Sequence, residues 1–347
     1  MRSISKSMMG KKVVAGDSNN RLLYHMHIKF TIVIVIAGFL FSCKSDVKKA
    51  PEAPLPRAVI PRADADSSFS FIAKQVGFGV RVPGSDGHVK TKDWIVAKMK
   101  SYGAEVEVLP FKASFLGQKD LQAYNIVAKI NPTHEKRIAL FAHWDTRLIA
   151  EKDSDPKKTN EPILGAVDGG SGVAGLMEIA RLIHTNGINL GVDFVFFDAE
   201  DQGLGDDNNW CIGSQKWSVQ VAENENKPAF GILLDLIGAQ GATYYKEGIS
   251  VFYAKDLVNK VWALANGMNK GQYFKNDFVG EIMDDHFHVN KIAGIPTIDI
   301  IETLPSGNFA KYHHTHNDNL TAIDKENLAA VIQVVTAVVY KVSDGTF

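Results

Sequence analysis

The sequence predicts an α/β protein: a mostly parallel central β-sheet flanked by helices on both faces, in a single domain. Three observations predict it. Apolar runs without alternation, such as Val195, Phe196 and Phe197 or residues 230–237 (FGILLDLI), suit strands covered on both faces. Strand-like runs alternate along the chain with runs of helical period, the order that builds parallel sheets. The chemically active polar residues fall at or just beyond strand ends, where ligands sit in open α/β sheets.

The chain has 347 residues, a formal net charge of −1 and 45% hydrophobic residues. That is an ordinary globular balance, with no basic excess to suggest a nucleic-acid partner. One large domain preceded by a leader fits this length better than two equal domains. The two cysteines, Cys43 and Cys211, lie in different contexts, so no disulfide framework is expected. Residues 32–41 (IVIVIAGFLF) are too short for a membrane span but suit the core of a signal peptide, with Lys29 as its positive flank. Leu40-Phe41-Ser42-Cys43 resembles a bacterial lipobox, which implies a lipid-anchored envelope protein with Cys43 as the modified residue. Starting at Met26 would give a compact signal. The expected organisation is therefore a leader and lipoprotein signal over 1–42, a tether rich in Pro, Ala and Lys over 43–66, and the folded domain over 67–347.

Within that domain, residues 69–79 have helical apolar spacing, and 81–87 (RVPGSDG) form a turn cluster. Residues 88–102 predict an amphipathic helix with Trp94, Ile95 and Met99 inward. Strands follow over 105–111, 122–130 and 137–143, the last ending in His143-Trp144-Asp145. Two residues apart on a strand end, His143 and Asp145 point to one side. Residues 147–163 are polar and read as a long surface loop. Asp168 stands in a glycine-rich loop before a helix over 172–184, whose stripe is Leu176, Ile179, Ala180 and Ile183. After the strand through 193–197 comes a polar loop tipped by Trp210, then the strand over 230–237. Next come a helix over 255–269, a short helix begun at 283–287, a strand over 294–300, a histidine-dense loop at 312–319 and a closing amphipathic helix over 324–342.

Residues 193–205 (DFVFFDAEDQGLG) carry the sharpest signal. Asp198, Glu200 and Asp201 crowd the end of an apolar strand, and Gly203 and Gly205 let the chain turn. Two such carboxylates suggest one that binds a metal and one that moves a proton, against the plain alternative of a solvated loop. Asp235 interrupts another apolar run, which is costly unless it is paired or metal-linked. Asp168, Asp201 and His314 make two carboxylates and one imidazole, the donor count of a catalytic zinc with an open fourth position. His314 is singled out by the motif described next. His286, His288 and His316 read as incidental.

From about Ser67 onward the chain resembles the M28 metallopeptidase superfamily through His143-x-Asp145, Asp168-Gly-Gly-Ser-Gly, Glu200-Asp201, Asp235 and the late His314-Thr315. Within it, Leu234-Asp235-Leu236-Ile237-Gly238-Ala239, Asp284-Asp285-His286 and His314-Thr315 followed by Asn317-Asp318-Asn319 resemble the glutaminyl-peptide cyclotransferases. The resemblance implies a zinc aminopeptidase-like domain with one zinc per chain, held by Asp168, Asp201 and His314. It implies peptides and proteins with N-terminal glutamine as substrates, converted to pyroglutamate with release of ammonia. Glu200 would shuttle the proton, Asp235 and Asp284 would share another, and Trp210, Phe309 and His313 would wall the pocket. Two departures from the animal enzymes bear on this: Asp201 has a shorter arm than the glutamate usual there, and His313 replaces a tryptophan. The rival is a two-zinc aminopeptidase in which His143 and Asp235 hold a second metal. A catalytically silent binding lipoprotein is the third possibility.

Overall fold

The computed structural model describes residues 57–205 and 209–347. The leader, Cys43 and most of the expected tether therefore lie outside the described residues. The end of that tether is a correction. Residues 57–66 are docked rather than free: Ala58 N–H donates to Asp344 (2.8 Å) and Ala63 N–H to Gln333 (2.8 Å). Asp64 N–H donates to Glu178 (2.9 Å), and the Asp64 side chain caps the first helix. Few large apolar side chains mark this stretch, because backbone hydrogen bonds hold it.

In chain order the elements are helices α1 (Ala65–Gly77) and α2 (Asp86–Ser101), strands β1 (Glu105–Phe115), β2 (Gln118–Ile130) and β3 (Arg137–His143), helix α3 (Gly170–Asn186), strand β4 (Gly191–Phe197), helix α4 (Ile212–Val221), strands β5 (Gly231–Asp235) and β6 (Tyr244–Lys246), helix α5 (Gly248–Gly267), strand β7 (Phe274–Phe278), helix α6 (Asp285–His288), which runs into a π-helical turn over Val289–Ala293, strand β8 (Thr297–Ile301) and helix α7 (Lys325–Ser343). Six strands form the central sheet in the order β1-β2-β4-β3-β5-β8. Neighbours from β4 to β8 run parallel, while β1 and β2 form an antiparallel hairpin that joins β4 antiparallel. The mostly parallel sheet expected from sequence is thus present.

The unbroken apolar runs serve two cores at once. On β3, Ile138, Leu140 and Ala142 face the larger core with α1, α2, α3, α5 and α7, while Ala139 and Phe141 face a smaller one. There Phe141 and Phe197 stack and Trp217 of α4 packs edge-on against both. Helix α4 went unread in the sequence because its buried face mixes Ile212 and Trp217 with Gly213, Ser214 and Ser218. Packing of α3 on the sheet requires glycine at 172, where a Cβ would come within 2.1 Å of the Leu234 carbonyl oxygen. That contact brings the N-terminus of α3 to the carboxyl end of β5, and with it Asp168 to Asp235.

Candidate active site

Four loops meet at the carboxyl ends of β3, β4, β5 and β8. Together with the segment that opens α6 and supplies Asp284, they line one cavity of about 680 Å3 with Asp168, Glu200, Asp201, Trp210, Asp235, Phe309, His313 and His314. The positions named by sequence are therefore brought together, except His143, which lies directly beneath. Its Nε2 stands 3.0 Å from Asp168 and 3.2 Å from Asp235. Glycine is required at 169 as well, since a Cβ there would meet His143 Nε2 at 2.4 Å. The Asp168–Gly169 peptide bond is cis. Of the eight described non-glycine residues with positive φ, Ala199, Cys211, Leu236 and His314 belong to this neighbourhood. The chain is bent hard where it presents side chains to the cavity.

Asp145 orders the β4 end without entering the cavity. Its carboxylate accepts from the backbone N–H of Glu200 (3.0 Å) and Asp201 (3.3 Å) and from the Gln202 amide (2.8 Å). Asp198 is structural, bonded to His88 at 2.7 Å and to the Tyr124 N–H. His314 Nε2 faces Asp201 Oδ1 at 3.1 Å and Asp168 Oδ2 at 3.9 Å. Two carboxylates around one imidazole nitrogen fit a zinc ion. The buried Asp201 Oδ2, which has no hydrogen-bond partner, fits one too. A second group, His143, Asp168 and Asp235, shares Asp168 with the first and has mutually close donor atoms.

Electrostatics divide these groups. Burial opposes ionisation of Asp168, but the hydrogen bond and charge of His143 outweigh it and hold the carboxyl well below its usual range. Burial also works against a charged His314, yet Asp201, Glu151 and Asp168 raise it to about 9. Burial lifts Asp201 above its ordinary value, a preference that a bound dication reverses. Glu200 is pushed well above the carboxylate range by burial, with Asp284, Asp201 and Asp285 adding and His143 opposing. Burial lifts Asp235 to about 7. His313 is driven well below its usual value by burial and by His314.

One pairing is corrected. Asp235 does not share a hydrogen bond with Asp284. Its oxygen accepts from the Leu236 N–H (2.8 Å) and lies against His143. Asp284 interacts instead with Asp299 of β8, which the sequence left unmarked inside an apolar strand. The loop 147–163 is also more than a surface rim. Arg147 is 1% exposed, and Glu151 and Lys152 line the cavity. Arg147 N–H groups donate to the carbonyl oxygens of Asp201 and Gly203, both at 2.9 Å, and its guanidinium lies over the Trp210 ring. The only sequence signal for these residues was an Arg and a Glu four apart in a polar stretch. Phe309 stacks on His313 and His313 on His314, making a continuous ring wall. Among the histidines read as incidental, His286 pairs with Glu247 and His316 with Asp153, while His288 joins the cavity lining.

Known proteins share this arrangement. The sequence profile of peptidase family M28 matches residues 125–339. The glutaminyl-peptide cyclotransferase of Bos taurus is 24% identical over 73% of this chain and 77% of its own. Among solved structures, the Bacteroides thetaiotaomicron glutaminyl cyclase bound to N-acetylhistamine is 41% identical with a TM-score of 0.78, covering 81% of this chain and 99% of that one. A Zn-dependent exopeptidase from Parabacteroides distasonis is 39% identical with a TM-score of 0.79, over 81% and 99% of the two chains. With the family profile spanning well over half of the sequence and the site residues assembled in one cavity, the chain belongs to peptidase family M28.

Proposed function

We propose that this enzyme is a zinc-dependent glutaminyl-peptide cyclotransferase, acting on peptides and proteins with N-terminal glutamine. The observation that carries the reading is the placement of Glu200, a carboxyl held above its usual range, beside the Asp168, Asp201 and His314 donors in an aromatic-walled cavity. Relatives named glutaminyl-peptide cyclotransferase or glutaminyl cyclase support it.

Asp168, Asp201 and His314 would hold the zinc, and when bound it supplies Lewis acidity to the γ-carboxamide oxygen. Glu200 receives a proton from the substrate's α-amine as the amine nitrogen bonds to the γ-carboxamide carbon. It returns that proton to the departing amide nitrogen, which leaves as ammonia when the carbon–nitrogen bond breaks. Its raised affinity for protons suits both halves of this exchange. Trp210 and Phe309 wall the cavity against water, which would otherwise compete as nucleophile. The attacking group belongs to the substrate, so one metal suffices.

The second reading, a two-zinc aminopeptidase, is favoured by the close donors His143, Asp168 and Asp235. A Gln-initiated dipeptide separates the two. Ammonia and a pyroglutamyl product, with about one tightly held zinc per chain, are expected. Free glutamine with no ammonia, and two zincs, would establish the peptidase instead. The signal-like residues 32–41 and Cys43 support placement of the enzyme on a lipid anchor in the cell envelope. Cys43→Ala should move it from the membrane to the soluble fraction, and an unchanged distribution would reject the anchor.

A further inference from the structure

The loop between β3 and Asp168 reaches both ends of the metal-ligand set through a single pair of side chains. His314 turns its Nε2 toward Asp201 and Asp168, so its Nδ1 must find another partner. That partner is Glu151, whose Oε1 lies 2.6 Å from Nδ1. An imidazole that gives its Nδ1–H to a carboxylate keeps the Nε2 lone pair for a metal, in a fixed ring orientation. The other Glu151 oxygen accepts from Arg147 Nε at 2.7 Å. Arg147 in turn holds the Asp201 backbone carbonyl at 2.9 Å and its side-chain oxygen at 3.3 Å. Glu151 is thus the shared anchor of one imidazole and, through Arg147, one carboxylate that approach the same point from loops far apart in the chain.

We propose that Glu151 is a positioning residue of the zinc centre, setting His314 and Asp201 in their binding geometry before the ion arrives. The proposal rests on the zinc reading above but not on which reaction the zinc serves. Glu151 touches no reacting atom in this scheme, so its loss should be felt in metal retention rather than in the chemical step. Partners of this kind are commonly worth about 10- to 100-fold in metal affinity.

The test uses the full-length protein and zinc alone. Zinc affinity is measured by competition with a chromophoric chelator, beside thermal unfolding of the zinc-free protein, for wild type, Glu151→Ala, Glu151→Gln and the exposed loop variant Lys157→Ala. For Glu151→Ala, zinc affinity should fall about 10- to 100-fold. Zinc-free melting should be unchanged, and excess zinc should restore kcat with KM unaltered. Glu151→Gln, which keeps an acceptor for Nδ1–H but loses the charge facing Arg147, should lie between, and Lys157→Ala should match wild type. Wild-type zinc affinity in Glu151→Ala would overturn the proposal. So would a zinc-free melting temperature that drops in step with zinc loss, which would mark a general structural role. A wild-type protein that binds zinc but releases no ammonia from Gln-initiated peptides would sink the cyclase reading and leave the Glu151 result standing.

Discussion

Two sets of buried carboxylates meet at this cavity, and their surroundings differ. Asp168 and Asp201 are interleaved with bases: His143 touches the first, and His314 and Arg147 touch the second. Across the cavity, Asp284, Asp285 and Asp299 crowd together. The imidazole there, His286, turns its Nε2 to Glu247 at 3.0 Å and its Nδ1 to Asp299 at 3.8 Å. Asp284 and Asp299 lie against each other, and Asp285 lies against Ser214. Burial, with the charge of Asp284 adding, pushes Asp285 and Asp299 well above the carboxylate range. One residue type thus does two jobs. Asp168, hydrogen-bonded to His143, favours the anion fit to hold a cation, while Asp285 and Asp299, buried beside Asp284, favour the protonated form. Glu200 stands between the two sets, which is where a group that must both take and return a proton belongs.

Substitutions can break that contrast. The largest effect is expected from His314→Ala, which should abolish bound zinc and turnover together, as metal analysis and ammonia release will show; a variant that keeps its zinc would remove His314 from the ligand set. Next, Glu200→Gln should retain zinc while kcat falls by about 10²- to 10⁴-fold. Near-normal turnover would assign the proton transfer elsewhere. Asp299→Asn probes the acid side. A carboxyl whose folded pKa is raised contributes stability that is complete below its unfolded value, about 3.9, and is lost as pH rises toward its folded value. The asparagine variant should therefore gain in melting temperature on wild type between pH 5 and 8, measured by thermal melts across that range. A gain that shrinks as pH rises would mean that Asp299 is ionised after all. The smallest effect belongs to the pocket wall: Phe309→Ala, losing a ring stack worth about 0.5–1.5 kcal/mol, should raise KM several-fold and leave kcat nearly intact.

Much of the fold was legible in the chain. The runs at 137–143, 193–197 and 230–237 are apolar without interruption because both of their faces are covered, and that is a local property. Helix α4 was missed because its buried face mixes Ile212 and Trp217 with Gly213, Ser214 and Ser218. The candidate ligands Asp168, Asp201 and His314 were found through short motifs. Their surroundings were less visible. Asp299 sits in a strand that reads as plain core, and Glu151 in a loop that reads as solvent.

The sequence by itself determined the sheet, the strand ends that carry chemistry and the residue types gathered there. Periodicity and glycine placement are written into neighbouring residues, so they can be read without the third dimension. Only the tertiary structure decided who partners whom. Asp235 meets His143 rather than Asp284, and His314 meets Glu151 across 163 positions of chain. Such pairings depend on where separate strands and loops arrive in space, and charge state follows from those distances, so no local pattern announces them.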